Sequence, residues 1–171
     1  MKLLRRLLGD RAPADFTGAL DDEHVLADAA TASGPLVATS RGLWVPAVDG
    51  TRRIGWHMIS KAGWRDGSLS VVEADETGRA GDALLIADRR AVSYSLRPSG
   101  KLPKVVRERV NASISAAYHR ELPGGGAWFV QRKLLGVAAP ILQVRAEPGT
   151  DPEIVADIAR EAAAKLANPQ R

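Results

Sequence analysis

The residues that could move a proton at neutral pH are His24, His57 and His119, because imidazole is the side chain whose ordinary pKa lies nearest neutrality. They are far apart in the sequence, and none stands at helical metal-ligand spacing from another. His57 follows Trp56 in a stretch that reads as an alternating strand, which predicts that the two rings face opposite sides of a sheet. Serine and aspartate are plentiful, but no Gly-x-Ser-x-Gly elbow raises a serine nucleophile. The chain has no cysteine, which removes thiolate nucleophiles, thiolate metal sites and disulfides together and fits a reducing compartment. Gly100-Lys101 runs into Leu102 without the glycine spacing of a phosphate loop, Gly124 to Gly126 reads as a wide turn, and no dinucleotide fingerprint is present. Asp21-Asp22-Glu23 reads as a solvated turn or helix start and not as a metal site. These readings predict no catalytic residue, no metal and no cofactor.

Charge and aromatic side chains offer binding chemistry instead. Of the formal net charge of +4, the first eleven residues hold most, so the body of the chain is nearly neutral and its high pI is a poor argument for nucleic acid. Leu3, Leu4, Leu7 and Leu8 line one side of a short amphipathic helix with Lys2, Arg5 and Arg6 on the other, a pattern suited to an interfacial membrane contact or to docking on its own domain. Arg97, Lys101, Lys104 and Arg107 gather around the start of a later helix, with Arg109 beyond and Glu108 diluting them. Cations there oppose the helix dipole, so phosphate or an acidic protein would help, although a solvated face is the favoured reading. Trp44, Trp56, Trp64 and Trp128 are expected to fill a core or pack at sheet edges.

The elements that must position these groups are mostly strands. Asp49-Gly50 between apolar runs predicts a hairpin within 35–59, its loop two residues or slightly longer and its register open; Asp-Gly suits a turn whose two central residues take positive φ. The stretch 24–32 reads as a first strand. Turn signals then recur every 8–12 residues through Asp66-Gly67, Gly78/Gly81 and Pro98-Ser99-Gly100, which indicates a sandwich or barrel rather than a βαβ fold. From Pro103, the stripe Leu102, Val106, Val110, Ile114 and Ala117 predicts a helix that caps the barrel. A second hairpin is expected from His119 to Leu122 and Ala127 to Lys133, a strand at Ile141–Ala146, and a closing helix over 151–167. Its cap is either Thr150, in a capping box with Glu153, or Asp151, with Pro152 in the first helical position. Its buried face is Ile154, Val155, Ile158, Ala162 and Leu166. No apolar run is long enough to span a bilayer, and the N-terminus lacks the apolar core of a signal peptide.

Over about residues 20–118 the chain resembles the bacterial pleckstrin-homology-like domains. The likeness rests on the opening Glu23-His24-Val25-Leu26-Ala27, on Val37-Ala38-Thr39-Ser40-Arg41-Gly42-Leu43-Trp44, and on Arg53-Ile54-Gly55-Trp56-His57-Met58-Ile59. It implies a seven-stranded, helix-capped barrel that binds or scaffolds without intrinsic catalysis. Lipid-binding members of the wider superfamily carry basic residues between the first two strands, whereas Ala30 to Pro35 has none, so phosphoinositide recognition by that route is not implied. The expected architecture is therefore mainly β (α+β), a small PH-like β-barrel. It comprises an N-terminal amphipathic segment and linker (1–22), a barrel with its capping helix (23–118), and a hairpin, strand and helix extension (119–171). The expected function is that of a non-catalytic interaction or scaffold module, cytoplasmic or peripheral to the inner membrane face. A protein partner is expected at a sheet edge or groove, with an anionic membrane surface at Lys2 to Leu8. Two alternatives are a small-ligand binder or enzyme with a pocket near the barrel end, involving His57 or His119, and a nucleic-acid module using the basic helix start.

Overall fold

The computed structural model describes residues 11–169. Lys2, Leu3, Leu4, Arg5, Arg6, Leu7 and Leu8 lie outside the described residues. Among the described residues, eleven strands and two α-helices form a mostly β fold, and no described helix is long and apolar enough to cross a membrane. The chain divides into two compact units, one running through Glu73 and joined by Arg90–Asn111, the other built from Ala74–Arg89 and the residues from Ala112 onward.

In the first unit, β1 (Val25–Thr31), β2 (Gly34–Thr39), β3 (Gly42–Ala47) and β4 (Gly50–Gly55) form an antiparallel meander. A second antiparallel set has β6 (Ser68–Ala80) between β5 (Ile59–Arg65) and β8 (Val92–Ser95). Helix α1 (Leu102–Ser113) follows. β1 alternates buried Val25, Ala27 and Ala29 with more exposed neighbours, the period expected of a strand with one covered face. Leu36, Leu43, Ile54, Trp56, Ile59, Leu69 and Val71 from both sets share one core with Leu102, Val106 and Val110 of α1.

The expected hairpin is β3–β4, and its register places the turn. Ala47 pairs with Gly50, so the two loop residues are Val48 and Asp49, and positive φ falls on Gly50 at 120°. The turn with two residues at positive φ is instead Asp66-Gly67, at 51° and 75° between β5 and β6; Asp and Gly are the residues that bear that conformation at least cost. The expectation of an alternating strand through His57 also fails, because Trp56–Met58 is a 3-10 turn. Trp56 is buried there and donates from Nε1 to the Thr39 carbonyl at 3.0 Å.

Helix α1 keeps Leu102, Val106 and Val110 of the predicted stripe but ends at Ser113, and Ile114 opens β9 (Ile114–Leu122). The reason is tertiary pairing: β9 runs antiparallel to β10 (Gly125–Arg132) from Ile114↔Arg132 to Leu122↔Gly125, and a helix continued to Ala117 would forfeit those ladder bonds. In the second unit the strand order is the distal half of β6, then β7 (Ala83–Asp88), β11 (Ile141–Ala146), β10 and β9. All pairs are antiparallel except β7 with β11. β7, which the sequence places with the barrel strands, thus pairs with the third strand of the extension.

Helix α2 (Pro152–Ala167) covers one face of this sheet. Asp151 is its cap, accepting from Glu153 N at 2.9 Å and Ile154 N at 3.4 Å. The Thr150 hydroxyl instead exchanges two 3.0 Å bonds with the Gly126 backbone, which settles the choice between the two caps. Val155, Ala159 and Ala163 are the buried positions, with Ile158, Ala162 and Leu166 only partly covered. The core beneath is centred on Phe129, Val144, Leu142 and Ala127, and burying a side chain the size of Phe129 contributes about 2–3 kcal/mol.

Candidate interaction edge

β9 is nine residues long, against a usual strand length of about five or six. It lies at the end of its sheet and pairs, among the described residues, with β10 alone. In an antiparallel pair, alternate residues turn their N–H and C=O groups away from the partner strand, so β9 presents a row of backbone donors and acceptors. Ser115, Ala117, Tyr118, His119, Arg120 and Glu121 along it are exposed.

The two faces of the edge carry different chemistry. On the α2 side, Tyr118 and Arg120 join Gln131, Ile158, Glu161, Ala162, Lys165 and Leu166 around an open cleft of about 310 Å³. Tyr118 is 45% exposed, and its ring is stacked on the buried Phe129 ring, with centroids 5.1 Å apart and planes 3° apart. The phenol therefore extends the unit's core to the rim of the sheet. Lys165 Nζ lies 3.1 Å from Glu161 Oε1. Arg120 makes no ion pair or side-chain hydrogen bond among the described residues.

On the opposite face, His119, Trp128 and Arg145 stand side by side across β9, β10 and β11. The His119 and Trp128 rings meet edge to face at 5.2 Å, and His119 Nε2 lies 2.7 Å from Glu147 Oε1. Arg145 grips both oxygens of Asp88 at 3.0 and 3.1 Å. The histidine reaches Glu147 only because residue 126 is glycine. A Cβ there would come within 2.7 Å of His119 Nε2 and 2.8 Å of the Arg120 carbonyl.

The remaining sequence candidates are dispersed. His24 is exposed at the start of the meander, and His57 is half-buried against Gly55. Arg97, Lys101, Lys104 and Arg107 are exposed before and along the first turns of α1, and Lys104 Nζ approaches Glu108 at 3.8 Å. Trp64 and Trp128 are 40% and 39% exposed, Trp64 on the end strand β5 and Trp128 against the His119 ring.

Comparison with family models, with characterised proteins and with solved structures returns no match to this chain. The residues themselves must carry any assignment.

Two clusters were missed as chemistry in the sequence. Glu23, taken with Asp21 and Asp22 as solvated, has a fully buried side chain. Its Oε1 accepts from Thr39 Oγ1 at 2.7 Å and Trp44 Nε1 at 3.3 Å, and Arg53 lies 3.0 Å from Oε2 with its guanidinium 5.8 Å from the centre of the Trp44 ring. This joins the lead-in segment to β2, β3 and β4. The second cluster surrounds Arg132, whose Nη1 donates to Ser113 Oγ at 2.7 Å. Burial pushes its guanidinium down to about 10, with Arg145 adding to the effect and Asp88 opposing it.

Proposed function

We propose that this chain is a non-catalytic interaction module that takes a protein partner by strand addition along β9. The observation that carries this reading is the nine-residue edge, bonded on one side only among the described residues and flanked by a cleft under α2. Strand addition draws its affinity from main-chain bonds along such an edge and its specificity from pockets that take alternate side chains. The first unit supports the same class of function. Its four-strand meander, three-strand set and following helix, interrupted in the chain by β7 of the other unit, are the elements a helix-capped binding module needs, and we propose that this unit is the scaffold.

The test is selection of displayed random decapeptides on the full chain, followed by amide hydrogen exchange with a selected peptide bound. Slowed exchange concentrated in 114–122 is expected. Protection elsewhere with β9 unchanged would refute the reading. We further propose that Leu3, Leu4, Leu7 and Leu8, with Lys2, Arg5 and Arg6, give the module a weak contact with an anionic membrane surface. Sedimentation with anionic vesicles should then fall when the chain begins at Ala12, and equal sedimentation of both forms would remove the membrane from the proposal.

A further inference from the structure

Resting on β9 as the docking edge, we infer that its occupant is an extended peptide carrying an acidic side chain two residues from a large apolar one. Ala116, Tyr118, Arg120 and Leu122 share the α2 side of β9 by strand alternation, Ile114 lying beyond a register shift in the pairing with β10, and Tyr118 and Arg120 line the cleft. Side chains of an added strand that point the same way lie directly opposite these residues, about 4.5–5.5 Å away between Cβ atoms. Two positions of the incoming strand, one residue apart from adjacency, are thereby specified whether it runs parallel or antiparallel.

Opposite Tyr118, the surface is the outer flank of a ring that is already stacked on Phe129, with Ile158, Ala162 and Leu166 nearby in the cleft wall. A large aliphatic or aromatic side chain covers that surface and removes it from water. Opposite Arg120, the requirement is electrostatic. Lys165 is engaged by Glu161 at 3.1 Å, whereas Arg120 has no acidic partner among the described residues, so the cleft carries one surplus positive charge. A guanidinium binds a carboxylate through two parallel N–H···O bonds, which gives direction as well as attraction.

The same arginine guards the edge when no ligand is present, since a charge on an edge strand discourages indiscriminate pairing. A second copy of the chain adding its own β9 antiparallel would bring Ala116, Tyr118, Arg120 and Leu122 to that face, with no acid for Arg120. A complementary acid turns the guard into a selector.

The experiment runs the decapeptide selection in parallel on the full chain and on its Arg120→Glu variant, with equal melting temperatures as the check that both fold. The wild-type pool should be enriched in Asp or Glu two residues from Leu, Phe or Trp. The variant pool should carry Lys or Arg at that spacing. A peptide selected on the wild type should lose about tenfold in affinity on Arg120→Glu, the scale of one charge-assisted pair, and should also weaken on Tyr118→Ala. Pools of the same composition, with β9 still protected from exchange by bound peptide, would overturn the acidic partner while leaving the docking edge intact. Bound peptides that leave β9 unprotected, or a library yielding no binder, would overturn both.

Discussion

Removing Arg53 should cost more stability than removing the charge it neutralises, and removing both should cost little more than the smaller of the two. The Glu23 side chain is fully buried while Arg53 is 38% exposed. Arg53→Met keeps an apolar stem over Trp44 but leaves a buried carboxylate without its cation, and a buried charge stripped of its partner costs about 3 kcal/mol or more. Glu23→Gln keeps an amide oxygen for Thr39 and Trp44, and the stranded guanidinium turns to water, so its cost should be about 1 kcal/mol. In the double variant no buried charge is left, and the loss should return to about 1 kcal/mol, well below the sum of the singles. The assay is urea unfolding followed by tryptophan fluorescence, with Trp44 inside the network. Equal losses from the two single variants, or strict additivity in the double, would refute the view that desolvation of Glu23 governs this cluster.

Gly126→Ala should destabilise the second unit by about 1–3 kcal/mol, because the new methyl meets both His119 and the Arg120 carbonyl; adding His119→Ala should recover part of that loss in thermal melts. Asp151→Ala should cost about 1 kcal/mol by freeing the two amides the cap now satisfies, read as a lower urea midpoint. Burial raises the Tyr94 phenol above its ordinary value of 10.0, with Arg52 lowering it and Glu73 raising it. The folded chain therefore holds this proton more tightly than the unfolded one, so Tyr94 contributes stability below pH 10 that fades as pH rises through the folded value. Tyr94→Phe should flatten the fall in urea midpoint above pH 10, and an unchanged slope would contradict the assignment.

The fold was legible where one element decided its own conformation. Short strands between Gly, Asp and Pro punctuation, the apolar stripe at Leu102, Val106 and Val110, and Pro152 behind a capping Asp151 are local signals, and each stands in the structure. It was illegible where a distant partner decided. Ile114 and Ala117 continue the helical spacing of α1, yet the ladder to β10 claims them. β7 looks like one more meander strand, and its parallel register with β11, Gln143↔Leu84, ties it to the strands of the extension. The Glu23 cluster shows the same dependence in charge. An acid after two exposed aspartates reads as solvated, and its burial follows from Thr39, Trp44 and Arg53 arriving from three other strands.

The candidate edge was hidden for a related reason, because an edge is defined by what fails to pair. Tyr118, His119 and Arg120 have no spacing that marks them as a set, and consecutive strand residues face alternate sides. Their separation into a cleft-facing pair and a His119–Glu147 pair appears only once β10 fixes the register. Gly126 is the hinge of that distinction. In the sequence it is one glycine of a turn, but in the sheet its missing Cβ lets the His119 ring cross β10 to reach Glu147. That contact holds the imidazole on the face away from α2, while Tyr118 is held on the other by its stack on Phe129. With Tyr118 and His119 fixed, Arg120 is left as the adjustable charge on the α2 face of the strand, and this is why its reversal is the substitution expected to change which peptide the edge accepts.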